Sequence, residues 1–216
     1  MSHLVCISVI FVSIALILWL PTLIIPKTVI KTYPKYNNYS GETISTQSIV
    51  AVTVGIPLVI IAIWSQFVKK YDINALITIL LGYLVVYCLT ILVVEILKIV
   101  VGKPRPAFED ICEPVTELPW TFASCSSRNA ANAFHSFPSA HVAAAFVAVG
   151  YLGYLTKSAS LASALAAGGL VVAFMRIYDY LHDFTDVSVG LVIGVLSGII
   201  GGIYFEIKPS VGFQYR

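Results

Sequence analysis

Six apolar runs divide the chain, near residues 4–25, 48–68, 74–97, 140–156, 159–177 and 185–205, and polar stretches of unequal length separate them. A hydrocarbon layer of about 30 Å takes about 20 helical residues to cross, which each run reaches or approaches. The pattern predicts an all-α membrane protein, a six-transmembrane helical bundle formed by a single domain over residues 1–216. The first run reads as a retained span, because it is too long for a secretory leader and no small-residue cleavage site follows Leu20-Pro21-Thr22. The short fourth run and the Ala- and Gly-rich fifth are candidates for packing inside the bundle. In the last run Gly190, Gly194, Gly198 and Gly202 recur every four residues, a smooth ridge against which a second helix can pack closely.

Six crossings bring residues 26–47, 98–139 and 178–184 to one side of the membrane. Eight of the 11 acidic residues fall on that side (Glu42, Glu109, Asp110, Glu113, Glu117, Asp179, Asp183 and Asp186), together with His135, His141 and His182. A site is therefore expected at one membrane boundary.

Composition agrees with the pattern: 58% of residues are hydrophobic, 11% are charged, and the mean hydropathy is +0.90. A soluble domain of this size needs more polar surface. The net charge of +2, with no basic run, gives no reason to expect a nucleic-acid partner. Lys and Arg divide eight to five in favour of the polar side, but setting aside Lys98, Arg105 and Arg176 as candidate site residues leaves five against five. Charge therefore does not orient the chain. The sequon Asn38-Tyr39-Ser40 and the loop pair Cys112 and Cys125 favour an extracytoplasmic or lumenal polar side. Cys6 and Cys88 lie within runs, so the four cysteines make no zinc pattern, and only the loop pair is a candidate disulfide.

Charges at a membrane boundary are expensive, and here they gather in three places. In Lys98-Ile-Val-Val-Gly-Lys-Pro-Arg105-Pro106 a helix runs into Gly102 and Pro104, so Lys98 and Arg105 can converge on one anion. The plainer reading has Lys98 snorkel to solvent or pair with Glu95, and leaves Arg105 solvated. In Phe137-Pro138-Ser139-Ala140-His141 a helix begins with Ser139 as its N-cap, and the free N–H groups there suit an anion. In the segment from Arg176 to Asp186, His182 and Asp186 are four residues apart, which on one helix face lets the carboxylate orient the imidazole. Two histidines, an orienting carboxylate and three cations fit an anionic ester, phosphate best. A metal held by His135, His141, His182 and Asp186 is the competing reading. No H-E-x-x-H or comparable spacing supports it, and the three cations would repel a divalent ion unless phosphate screened them.

The segments KIVVGKPRP, PSAH and RIYDYLHDFTD resemble, in that order and spacing, the three signatures of the type 2 phosphatidic acid phosphatases, or lipid phosphate phosphatases. The resemblance covers a motif-bearing core of about residues 75–205, and the placing of Cys112 and Cys125 is similar to the eukaryotic branch. It implies an integral-membrane phosphatase that needs no cofactor and no metal, with its site on the extracytoplasmic face. It further implies that Lys98, Arg105, Ser139, Ala140 and Arg176 hold the phosphate. The resemblance also implies that His182, oriented by Asp186, attacks phosphorus to form a phosphohistidine, and that His141 protonates the leaving group. The expected partners are the bilayer and a lipid phosphate: phosphatidate, lysophosphatidate, diacylglycerol pyrophosphate or a sphingoid-base phosphate. Two positions depart from the family pattern, Ala140 where Gly is usual and Met175 where Ser is usual. They motivate one rival, a silent phospholipid-binding relative. The other, a transporter or channel, predicts charges spread through span interiors.

Overall fold

The computed structural model describes residues 2–20, 28–36, 41–127 and 130–206. Eight α-helices follow in chain order: α1 (His3–Trp19), α2 (Thr46–Ile63), α3 (Ile73–Val101), α4 (Phe108–Cys112), α5 (Ala130–Ala133), α6 (Ala140–Thr156), α7 (Ala159–Tyr178) and α8 (Phe184–Phe205). A π turn, Trp64–Val68, prolongs α2. Strands are absent among the described residues, where only two isolated bridges pair Val29 with Trp120 and Pro114 with Cys125.

Among the described residues, each of the six apolar runs contains one long helix. Four helices are long and apolar enough to cross a membrane: Thr46–Val68, Ile73–Val101, Ala159–Tyr178 and Phe184–Phe205. α1 and α6 are equally apolar but have 17 residues each, about 26 Å at 1.5 Å per residue. α3 continues four residues past its expected end at 97, which places Lys98 in its last turn. It stops at Gly102, whose left-handed backbone (φ 57°) turns its N–H onto the Lys98 carbonyl at 2.8 Å. Glycine adopts that conformation without the cost a side chain would add.

The two candidate interior helices turn out differently. α6 is the central one, burying Val142 to Ala148 without a break and then Gly150, Tyr151, Leu152 and Leu155. α7, in spite of its small residues, buries only Gly169, Ala173 and Arg176, so most of its surface faces outward. The glycine ridge of α8 lies on α6 at backbone contact. A Cβ at Gly190 would meet the Ser139 carbonyl oxygen at 2.6 Å, and at Gly194 and Gly198 the carbonyls of Ala143 and Val147 at 2.4 Å. This packing sets the start of α6 against the start of α8.

A compact cap covers that end of the bundle. Phe108, fully buried, packs on Trp120 and Phe134 beside Ala107, Ile111, Cys112 and Leu181. Burial of such a ring contributes about 1.5–3 kcal/mol. A disulfide joins Cys112 to Cys125. Residues 28–36 strap the cap, with the Tyr33 and Tyr36 N–H groups donating to Glu109 (2.9 Å) and Asp110 (3.1 Å). Asn38 of the sequon lies outside the described residues.

Candidate active site

Backbone hydrogen bonds stitch the three charged segments together at one end of the bundle. Ser136 N–H donates to the Lys103 carbonyl (3.0 Å), Arg105 N–H to Ala133 (2.8 Å), Ala107 N–H to Tyr180 (3.0 Å) and Ser139 N–H to Asp186 (3.1 Å). Segments far apart in sequence are thus held in one register. Site positions depend on these bonds more than on any single helix.

His182 is not on a helix. Tyr180, with φ 55°, turns the chain out of α7, and the N–H groups of Leu181 and His182 both reach back to the Arg176 carbonyl (3.3 and 3.2 Å). Asp183 then caps α8 and forms a reciprocal box with Asp186: Asp186 N–H donates to Asp183 Oδ1 (3.1 Å), and Asp183 N–H donates to Asp186 Oδ2 (3.0 Å). The expected shared helix face is therefore corrected: a capping turn, not a helical turn, brings His182 Nδ1 to 3.6 Å from Asp186 Oδ2. That separation exceeds hydrogen-bonding range.

The His182 pKa is pushed down to about 4, first by burial, then by the nearby Arg105 and Lys98 charges, with Asp186 pulling the other way. The imidazole is neutral at pH 7, the state a nucleophile requires. Asp186 is itself fully buried and accepts from Lys103 Nζ (2.7 Å) and Ser136 Oγ (2.5 Å).

The three expected cations reach this end of the bundle. Lys98 pairs with Glu95 at 2.8 Å, as the plainer reading had it, yet it is buried and not snorkelling into solvent. Arg105 is not solvated either: Nε and NH2 donate to the backbone carbonyl and side-chain oxygen of Asn132 (2.8 and 2.7 Å). Arg176 is wholly buried, its NH2 donating to Asp179 (3.0 Å) and to the Ile44 carbonyl (3.2 Å). Its Nε and NH1 have no hydrogen-bond partner among the described residues.

Ser139 occupies the N-cap position of α6, but its Oγ makes no capping bond and is likewise buried without a partner among the described residues. Each such unpaired group costs about 1–3 kcal/mol. A hydroxyl and a guanidinium edge left in this state suit acceptor oxygens arriving from outside the protein. Ala140 opens α6 outside the left-handed region, so its methyl group introduces no backbone strain. His141, the second residue of α6, has Nε2 at 3.2 Å from Thr46 Oγ1.

Sequence reasoning passed over Lys103, Ser136, Asp183, Asn132 and Thr46. Asp183 was discoverable, since Asp183-Phe-Thr-Asp186 ahead of an apolar run is a capping signal. The others act through tertiary contacts. Among the described residues, no group of three or more His, Cys, Asp or Glu is placed to hold a metal ion.

Residues 79–206 match the model of the PAP2 superfamily, and the chain belongs to that superfamily. Diacylglycerol pyrophosphate phosphatase 1 of Saccharomyces cerevisiae is 30% identical over 149 aligned positions, covering 59% of this chain and 52% of that protein. The Schizosaccharomyces pombe protein named "Probable diacylglycerol pyrophosphate phosphatase 1" is 30% identical over 56% of this chain and 50% of its own length. A PA-phosphatase related-family protein of Dictyostelium discoideum is 25% identical over 76% of this chain and 51% of its own. The chain spans about half the length of the curated relatives it matches. No solved structure matches it at comparable significance.

Proposed function

We propose that this chain is an integral-membrane lipid phosphate phosphatase working through a phosphohistidine on His182. One observation carries the reading: Arg176 Nε and NH1 and the Ser139 hydroxyl, all without a hydrogen-bond partner among the described residues and with only a 3.7 Å ion pair from NH1 to Glu42, are buried at the same end of the bundle as a neutral, buried His182. Arg176, Ser139 and the α6 N–H groups receive the phosphoryl oxygens, with Lys98 and Arg105 adding positive charge as the transition state spreads charge over them. Since Nδ1 of His182 faces Asp186, Nε2 is the atom that attacks phosphorus. The bond from phosphorus to the leaving oxygen breaks as His141 gives that oxygen a proton. Neutral His141 then takes a proton from water, whose oxygen attacks the phosphohistidine. Phosphate departs and His182 is restored.

The reading includes six crossings, with α1 and α6 as the two short ones, and a site at one membrane boundary. The ends of α3 and α7 and the starts of α6 and α8 meet there, which supports it. A cap disulfide favours the extracytoplasmic or lumenal face. The names of the fungal relatives favour diacylglycerol pyrophosphate or phosphatidate among the substrates. The absence of strain at Ala140 removes one of the two reasons for expecting a silent relative.

The test is phosphate release by the detergent-solubilised protein in EDTA, from phosphatidate, lysophosphatidate, diacylglycerol pyrophosphate and a sphingoid-base phosphate. Release from one or more is expected. No release from any, or release only after Mg²⁺ or Mn²⁺ is added, overturns the reading.

A further inference from the structure

Residues 42–46 lie outside the segment that matches the PAP2 superfamily, yet they lie across its site. Thr43 donates to the Asp179 carboxylate through its N–H (3.0 Å) and its hydroxyl. The Ile44 carbonyl accepts from Arg176 NH2 at 3.2 Å. So anchored, the segment delivers Thr46, the first residue of α2, to His141, with 3.2 Å between Oγ1 and Nε2. The Thr46 hydroxyl also donates to Glu42 Oε2 at 3.2 Å, and the other Glu42 oxygen faces Arg176 NH1 at 3.7 Å.

We propose that Glu42 and Thr46 are positioning residues for His141, a carboxylate–hydroxyl–imidazole chain that decides which ring nitrogen works on the leaving group. A hydroxyl has one proton. Given to Glu42, it leaves Thr46 only lone pairs for the ring, so Nε2 must carry a hydrogen and Nδ1 is the nitrogen that exchanges its proton with the leaving oxygen and then with water. The arrangement parallels Asp186 beside His182, except that the support comes from a different part of the chain. This inference rests on the phosphatase reading. Thr46 is exposed and its bonds contribute little to folding, so its substitution isolates the positioning role.

The experiment compares full-length wild type with Thr46→Val, Thr46→Ser and Glu42→Gln on two esters. Lysophosphatidate has an alkoxide leaving group that needs a proton, whereas 4-nitrophenyl phosphate has a phenolate that does not. Thr46→Val is expected to lower kcat on lysophosphatidate about tenfold, with KM within about twofold of wild type and a loss below about threefold on the aryl ester. Thr46→Ser restores the rate, and Glu42→Gln falls between. In ¹⁵N-histidine spectra at a pH high enough to deprotonate the resting His141 imidazolium, the neutral ring of wild type is expected as the single Nε2–H tautomer, becoming a mixture in Thr46→Val. Equal losses on both esters, a change in KM alone, or an unaltered tautomer in Thr46→Val overturns the proposal. If wild type cleaves neither of these esters nor any other lipid of the panel above, the phosphatase reading fails, and the tautomer result still decides for or against the positioning chain.

Discussion

Lys103 Nζ lies 2.7 Å from Asp186 Oδ1, closer to that carboxylate than the His182 imidazole, which stands 3.6 Å from its other oxygen. Asp186 is thus fixed chiefly by Lys103, Ser136 and the Asp183 N–H, and it orients His182 from that fixed position. Burial alone would lower the Lys103 pKa, but its hydrogen bonds to Asp183 and Asp186 outweigh burial and leave it raised. The ammonium therefore persists across the working range.

Replacing Lys103 by Met should remove a charge-assisted bond worth about 1.5–3 kcal/mol, lowering kcat by about ten- to a hundredfold. Lys103→Arg should recover most of it. Steady-state rates of the two variants, read beside their melting temperatures, check this.

Phosphoenzyme formation should persist well below pH 6.5, because His182 must lose its neutral form to stop attacking and its pKa is near 4. Stability should behave differently. An unfolded histidine binds a proton near pH 6.5, whereas folded His182 and His135, the latter also held near 4 mainly by burial, do not until lower pH. The unfolded state therefore binds more protons between those values, and stability is lost as pH falls from about 6.5 toward 4. Thermal unfolding at pH 7 and pH 5 gives the comparison, with the lower melting temperature expected at pH 5.

Gly194→Ala should separate α6 from α8, since the new methyl group would stand 2.4 Å from the Ala143 carbonyl oxygen. Overpacking of this kind costs about 1–3 kcal/mol. Gly168→Ala, where a Cβ meets nothing within 4 Å, should leave the melting temperature near that of wild type. Equal melting temperatures for the two variants would contradict the ridge.

Breaking the Cys112–Cys125 bond, which spans a sequence separation of 13, should destabilise the cap by about 3 kcal/mol on the chain-entropy account. The cap carries Ala107, two residues after Arg105, and Leu181, the residue before His182. Reductant or Cys112→Ser should therefore lower activity together with stability, as parallel thermal and rate measurements can test.

Much of this was legible before any coordinates, because apolar runs and their boundaries are local signals. The α6 bounds follow from Pro138 and Ser139 at one end and the turn near Lys157-Ser158 at the other. The three charged segments were legible because each sits where a helix begins or ends. What escaped was either tertiary or a misjudged boundary. Lys103 finds Asp186 across 83 positions and Thr46 finds His141 across 95, distances at which no periodicity operates. His182 and Asp186 looked like a helical pair, since four residues separate both a helical pair and a residue placed just before an N-cap from the third residue inside the helix. The Ala and Gly content of α7 suggested burial, but small residues permit close packing without requiring it.

The most direct test of the account is to quench a brief reaction with a radiolabelled phosphate ester and ask where the label is. The account predicts acid-labile, base-stable phosphate on the wild-type protein, mapping to the peptide that contains His182 and absent from His182→Ala, with no turnover in that variant. His141→Ala should hold the label unusually long when it comes from an activated ester, because nothing then activates the water. Acid-labile phosphate on His182→Ala, with none on the wild type, would contradict the assignment and reverse the roles of the two histidines.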